Sequence, residues 1–180
     1  RAKAVNFGLI YGMSPFGLTR STDLTLAEAE NFVDAYFKRF PGVERYLEET
    51  RRLAAEQGYV ETLLGRRRYF PQLEHGATAV SAVARARAER EAVNSPIQGT
   101  AADIIKIAML RLPEALMQAG LTGRMLLQVH DELVLECPDS ELKATSKVVQ
   151  RVMREAHKLK VPLKTDAKYG ENWETMQPVG

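Results

Sequence analysis

The sequence predicts an α+β fold, with helices filling the first half and an antiparallel sheet, covered on one face by helices, in the second. Two observations carry this expectation. Helical patterns succeed one another from the N-terminal end, broken by Pro and Gly. Past residue 120 come two short Leu- and Val-rich runs, Arg124–Val129 and Leu133–Cys137, too brief for helices and joined by polar residues as hairpin strands are. Segregated helices and strands suit an antiparallel sheet with helices on one side.

Residues 2–12 form the first helix. Lys3, Phe7 and Tyr11 stand at strict four-residue spacing, and four residues advance a helix by about 400°, so the three share one slowly drifting face. Gly8 and Gly12 follow the two aromatics and leave room for a large group to approach the backbone there. After a turn over Met13-Ser14-Pro15-Phe16-Gly17, Thr25-Leu26-Ala27-Glu28 has the form of a capping box. It opens a helix through Phe32, Tyr36 and Phe37 that Pro41-Gly42 ends. The next helix runs from Val43 to Gln57, with Gly58 as its stop. A small hairpin near 59–70 follows: Tyr59–Leu63, a turn at Leu64-Gly65, then Arg66–Phe70, closed by Pro71.

An alanine-rich helix is expected from Thr78 to Val93, broken by Asn94-Ser95-Pro96. Thr100 then caps another helix reaching Gly120, with Pro113 as a possible kink. The hairpin of residues 124–137 comes next, holding Gln128-Val129-His130-Asp131-Glu132 at its connection. Pro138-Asp139-Ser140 opens a helix to about Leu159, Val161–Ala167 reads as a last strand, and the remainder is an irregular tail.

The bulk properties narrow the class. A hydrophobic fraction of 45% and a charged fraction of 27% describe an ordinary globular protein. No apolar run is long enough for a membrane helix, and no signal peptide is evident. The single Cys137 excludes an internal disulfide and fits a reducing compartment. Between Arg51 and Arg90 stand eight basic and four acidic residues, a local excess of +4 against +2 for the whole chain. A basic middle offers a phosphate-facing surface, although a solvated helix face has the same appearance. The chain starts at Arg1 within a helical pattern and without an initiator Met, so it reads as part of a longer protein.

Adjacent carboxylates at a hairpin tip suit a hard divalent cation, which prefers oxygen ligands and keeps positions open for water and phosphate. Polar residues are also what turns are made of, so Asp131 and Glu132 alone leave both readings open.

Three motifs together favour the chemical reading. They are Lys3-x-x-x-Phe7-Gly8-x-x-Tyr11-Gly12, Asn94-Ser95-Pro96-Ile97-Gln98-Gly99-Thr100-Ala101-Ala102-Asp103 and Gln128-Val129-His130-Asp131-Glu132. In this order the chain resembles the C-terminal half of family A DNA polymerases, the bacterial DNA polymerase I type. Phe40-Pro41-Gly42-Val43, Gln57–Leu63, Gly65–Tyr69 and Gly170-Glu171-Asn172-Trp173 extend the likeness along essentially all 180 residues.

The resemblance implies a partial right-hand polymerase fold. Residues 1–88 would be part of the helical fingers, with a nucleotide-binding helix at 1–12, and 89–180 part of the palm with its catalytic hairpin at 124–137. It implies Lys3 on the incoming triphosphate, Phe7 against its sugar and base, and Tyr11 near the templating base. Phe at position 7 is associated in the family with discrimination against dideoxy analogues. Arg90, Asn94 and Gln98 would meet the primer–template duplex, and Gln128 and His130 the primer terminus. Minor-groove acceptors recur whatever the base sequence, so donors there test pairing without reading sequence. Arg66, Arg67 and Arg68 would face backbone phosphate, with the contacting member left unassigned and a solvated triplet as the competing reading.

Asp131 would be one of two carboxylates holding two Mg2+ ions, with Glu132 tuning the site beside it. The resemblance places the partner carboxylate on a strand motif before the Lys3 helix, and Asp23, Asp34, Asp103, Asp139 and Asp166 do not match it. The family's arginine one turn before the lysine is not Arg1, which lies about 200° around the helix from Lys3. The steric-gate glutamate, the thumb and exonuclease domains are also unmatched, so the expectation is that these 180 residues do not polymerise alone. Implied partners are primer–template DNA and deoxynucleoside triphosphates, in a monomeric, cytoplasmic and nucleoid-associated bacterial enzyme without membrane contact.

Two rivals remain. An HD-type metal phosphohydrolase would use His130-Asp131, but His75 and His157 lack ligand spacing. A non-catalytic DNA-binding remnant of a polymerase would keep the duplex contacts without the chemistry.

Overall fold

A computed structural model describes residues 2–75 and 80–179, apart from the side chains of Ala2, Lys3, Ala4 and Phe7. The helices are α1 (Ala2–Ile10), α2 (Pro15–Thr19), α3 (Leu26–Arg39), α4 (Pro41–Gln57), α5 (Ala82–Gln118) and α6 (Leu142–Arg154). The strands are β1 (Tyr59–Glu61), β2 (Arg67–Tyr69), β3 (Arg124–Val129), β4 (Glu132–Glu136), β5 (Lys168–Tyr169) and β6 (Gln177–Pro178). Short 3₁₀ turns occur at Pro71–Leu73 and Asp139–Glu141. The chain forms two compact units, Arg1–Gly99 and Thr100–Gly180, and α5 contributes residues to both.

In the first unit α1 stops at Ile10, two residues short of the sequence expectation, through a Schellman closure. Met13 N–H donates to Gly8 O (2.8 Å) and Gly12 N–H to Leu9 O (3.0 Å), with Gly12 at φ +76°. The expected turn at 13–17 contains the one-and-a-half-turn helix α2, capped by Ser14 with Pro15 in its first turn. The capping box at Thr25 and Glu28 is present, and the two side chains satisfy donors that α3 leaves open. Pro41 begins α4 instead of separating it from α3, since a residue without an N–H loses nothing at the first helical position. Leu9, Leu18, Ala29 and Val33 bury one small core between α1, α2 and α3. Ala54, Val60, Phe70, Leu73, Ala88 and Ala92 form a second, beneath the β1–β2 hairpin.

The predicted break at Asn94-Ser95-Pro96 does not occur: α5 continues through it for 37 residues. A proline inside a helix removes one backbone bond and crowds the preceding turn, at about 3 kcal/mol. Tertiary structure offsets this. Ala88, Ala92 and Val93 are buried around it, Tyr46 OH donates to Val93 O at 2.8 Å, and Ser95 Oγ to Glu91 O at 2.6 Å. Thr100 is accordingly a buried mid-helix residue and caps nothing, and Pro113 lies inside the same helix. Ser81 accepts from Ala84 N–H (3.2 Å) where α5 begins; the expected start at Thr78 lies outside the described residues.

The second unit packs β3–β4 against the last turns of α5 and against α6. Ala108, Leu112, Leu116, Val152 and Ala156 form its core, with Met125, Leu133 and Leu135 seated against it. A second Schellman closure at Gly120 ends α5, with Leu121 N–H on Leu116 O and Gly120 N–H on Met117 O, both 3.0 Å. Arg111 donates to Glu155 O (3.2 Å) and Ala156 O (3.0 Å), satisfying carbonyls at the end of α6. That helix ends at Arg154, before the expected Leu159.

The sheets among the described residues are three separate two-stranded antiparallel ladders, β1–β2, β3–β4 and β5–β6. The strand expected over 161–167 is irregular instead. Pro162 has no N–H for a ladder, and pairing shifts to Lys168–Tyr169 against Gln177–Pro178. Among the described residues no helix is long and apolar enough to cross a membrane.

Candidate nucleic-acid and metal site

The second unit holds the carboxylate pair. β3 and β4 pair Val129 with Glu132, leaving His130 and Asp131 as a two-residue connection. His130 takes φ +52°, the left-handed region that such tight hairpins demand of a connecting residue. A bulge between Met125 and Leu127 shifts the register, so Gln128 lies opposite Leu133 and Val129 opposite Glu132. Cross-strand partners share a face. Leu133 packs on the core, so its partner Gln128 shares that face while Glu132 and Val129 lie on the other. Gln128, His130, Asp131 and Glu132 are all exposed. The Gln128 amide donates to His130 O, so the side chain also braces the tip of its own hairpin.

Asp131, in the short braced connection, and Glu132, at the start of β4, give carboxylates on successive residues. Among the described residues no three His, Cys, Asp or Glu side chains gather as a closed ligand set. The donor set fits an open site, in which a hard cation such as Mg2+ takes one or two protein carboxylates and keeps its remaining positions for water and phosphate. It does not fit a protein cage, and the HD-type reading has no ligand cluster here to rest on. Asp103 is buried within α5 and unsuited to an open metal site.

The first unit holds the other candidates. The side chains of Lys3 and Phe7 lie outside the described residues, while their backbone belongs to α1. Tyr11 is the half-buried residue between the end of α1 and Gly12. The space beside Gly8 is not open to a ligand: a Cβ there would meet Met13 Cε at 2.7 Å. At Gly12 a Cβ would meet Arg51 Nη2 at 3.2 Å, Val93 Cγ2 at 3.6 Å and Arg90 Cγ at 3.9 Å. The two glycines thus serve close packing, and the end of α1 lies against α5 beside Arg90.

Arg90, Asn94 and Gln98 follow one another at four-residue steps along α5 and share a face. Arg90 and Gln98 are exposed, and Asn94 is half-buried with its Oδ1 enclosed and without a hydrogen-bond partner among the described residues. Gln98 also lines a cleft of about 260 Å³ with Val60, Thr62, Arg66, Arg67 and Arg68. Tyr59 and Phe70 supply aromatic faces beneath two of these cations: the Arg67 guanidinium stands 4.4 Å from the Tyr59 ring centre and that of Arg68 5.1 Å from Phe70.

An acidic residue that the sequence reading passed over ties this surface together. Glu91 accepts from Arg68 Nη2 (2.5 Å) and from Arg87 Nε (2.9 Å), and Ser95 Oγ lies 3.1 Å from Arg68 Nη1. The Arg87 hydrogen bond is the first cause holding the Glu91 carboxyl below its ordinary range, with the Arg68 charge adding to it. Across the hairpin, Glu61 accepts from Arg67 Nε at 2.6 Å and strengthens the protonation of that guanidinium. The four-residue step from Arg87 to Glu91 is a visible helix pair, whereas the contact from Arg68 spans 23 positions and has no local signature.

A helix-and-hairpin chain with these motifs belongs to DNA polymerase family A, whose sequence model matches residues 1–175. The chain is 50% identical over 172 residues to DNA polymerase I of Streptococcus pneumoniae serotype 4, covering 96% of this chain and 19% of that protein. It is 49% identical over 173 residues to DNA polymerase I of Bacillus caldotenax, again across 96% of this chain and 19% of the relative. Among solved structures it is similar to the POL domain of Pol1 from M. smegmatis, in complex with DNA primer-template and dNTP. That likeness has a TM-score of 0.83 and 44% identity, covering 90% of this chain and 28% of the other. The chain therefore spans about a fifth of the length of the curated relatives it matches, 19% in these two cases.

Proposed function

We propose that this chain serves template-directed DNA synthesis, the transfer of a deoxynucleotidyl unit to a primer 3′-hydroxyl in replication and repair. The observation that carries the reading is the exposed Asp131–Glu132 pair where a braced two-residue hairpin connection meets β4, in a chain of DNA polymerase family A. Residues 1–88 act as part of the fingers and 89–180 as part of the palm.

Asp131 presents its carboxylate as a metal ligand, and Glu132 adjusts the site from beside it. Bound Mg2+ at such a site lowers the pKa of the attacking hydroxyl and neutralises charge on the leaving pyrophosphate. A second ligand carboxylate is needed for two ions, and no other aspartate of the chain matches its motif. The 180 residues by themselves are accordingly proposed not to extend a primer.

Lys3 holds the triphosphate as a compact point charge. Phe7 packs on the sugar and base of the incoming nucleotide, and Tyr11 tests the nascent pair. Arg90 meets phosphate or sugar, while Asn94 and Gln98 offer amide donors to the minor groove. Gln128 and His130 steady the primer terminus. The partners are primer–template DNA and deoxynucleoside triphosphates, and the working form is a soluble bacterial monomer.

The test is Asp131→Ala in a full-length family A polymerase carrying this segment. Primer extension with Mg2+ should be abolished while duplex affinity stays within about twofold. Extension that survives the substitution rules the assignment out.

A further inference from the structure

We propose that Glu91 is an intramolecular stand-in for a nucleic-acid phosphate, holding Arg68 of the β1–β2/α5 cleft together with Arg87 of α5 until a backbone phosphodiester displaces it. The inference rests on the proposed binding of primer–template DNA and adds a residue that weakens and tunes that binding. Its basis is geometric. One carboxylate engages two guanidiniums from different elements, Arg68 of β2 at 2.5 Å and Arg87 of α5 at 2.9 Å. Arg68 lines the cleft with Arg66, Arg67 and Gln98, and its other terminal nitrogen rests on Ser95.

The charge arrangement suits exchange better than permanent closure. Both guanidiniums are exposed, with side-chain exposures of 55% for Arg68 and 77% for Arg87, and Glu91 is half-buried at 35%, still open to solvent. Exposed ion pairs of this kind contribute little to folding and are screened by salt. They nevertheless fix where a planar guanidinium points, and a guanidinium turned toward one carboxylate is also set to receive the paired oxygens of a phosphate. Phosphate binding then releases the Glu91 carboxylate to water, and that carboxylate lies beside the bound backbone as a repulsive charge. The stacking of Arg68 over Phe70 keeps its guanidinium in place during the exchange, with the ring centre at 5.1 Å.

The opposing possibility is that Glu91 is only a staple fastening the hairpin to α5. The two differ in sign. With a stand-in, Glu91→Gln frees two cations and removes one repulsive charge, so duplex affinity rises. With a staple, the hairpin arginines lose their place and affinity falls or stays level.

The experiment titrates primer–template duplexes of unrelated sequence onto the protein and onto Glu91→Gln, Glu91→Asp and Arg68→Ala, across a range of salt concentrations. Each phosphate contact contributes about 0.9 to the slope of log affinity against log salt. Glu91→Gln is expected to bind about tenfold tighter at low salt, with a slope steeper by about one to two, equally for every duplex. Glu91→Asp should stay close to the parent, and Arg68→Ala should weaken binding more in the Glu91→Gln background than alone. Unchanged circular dichroism verifies that the variants fold. Parent-like or weaker binding by a folded Glu91→Gln overturns this inference and leaves the polymerase reading standing. Absence of duplex binding by both the parent and Glu91→Gln overturns both.

Discussion

Truncating Phe70 to alanine tests the packing that holds the arginine-bearing hairpin against α5. Phe70 is 1% exposed, and the residues around it are Ala54, Val60, Leu73, Ala88 and Ala92. Removing a buried phenyl ring from a core typically costs about 3–5 kcal/mol, the spread reflecting how far the site can collapse. Collapse is hard here. Three of the five neighbours are alanines on α4 and α5, which have no side-chain rotamers to swing into the void. The Phe70 backbone is also fixed by its N–H on Gly58 O at 2.7 Å. The expected loss is therefore near the upper end, about 4–5 kcal/mol, against about 1–2 kcal/mol for Phe70→Leu. Tyr69, one residue earlier, is 65% exposed, with a cross-strand ring contact to Tyr59 and a side-chain hydrogen bond with Arg67. Tyr69→Ala should cost under about 1 kcal/mol. Urea unfolding followed by far-UV circular dichroism reads all three. A Phe70→Ala loss below about 2 kcal/mol, or one equal to that of Tyr69→Ala, refutes the described core.

Tyr46→Phe should cost about 1 kcal/mol, because it removes the hydroxyl that donates to Val93 O just before Pro96. Burial also raises the Tyr46 pKa. A raised folded value means stability that is intact below the ordinary tyrosine value of 10.0 and declines as pH rises through the folded value, a decline that Tyr46→Phe should lack in alkaline unfolding scans. Glu28 has the opposite sign. The Thr25 backbone N–H, and then its hydroxyl, lower its carboxyl below 4.5. Its contribution is present above that value and lost as pH falls through the folded value, so Glu28→Gln should flatten the acid limb of the stability curve. His130→Gly relieves a left-handed residue at φ +52° and should leave stability unchanged or raise it by up to about 1 kcal/mol. If His130 steadies the primer terminus, the same variant loses duplex affinity, and a stable His130→Gly with unchanged affinity removes that role.

Local chemistry was the legible part of the sequence. The capping box at Thr25 and Glu28, the stop at Gly58 and the 124–137 hairpin each depend on residues within a few positions of one another, and each formed as expected. The break at Asn94-Ser95-Pro96 failed because its outcome depends on distant partners. Tyr46, 47 positions away from Val93, and the alanine packing under α5 decide that segment. Gly8 and Gly12 looked like openings for a ligand, yet one space is filled by Met13 and the other residue ends α1. Among the described residues the extended pattern at 161–167 forms no ladder, its one backbone bond to the tail being Val179 N–H on Ala167 O, and pairing begins at Lys168, an outcome no local periodicity reveals. The motif order allowed the family to be recognised, and the matching family model supports that recognition. Glu91 went unnoticed because its contact with Arg68 crosses between elements.

The central claim is that Asp131 ligates the metal at a DNA-bound polymerase hairpin. Paramagnetic Mn2+ titrated into the protein bound to primer–template duplex tests it most directly, through broadening of individual amide resonances. The expected result is selective broadening at His130, Asp131 and Glu132 that disappears in Asp131→Ala while duplex affinity is retained. Broadening that persists in Asp131→Ala, or that centres elsewhere in the chain, contradicts the assignment.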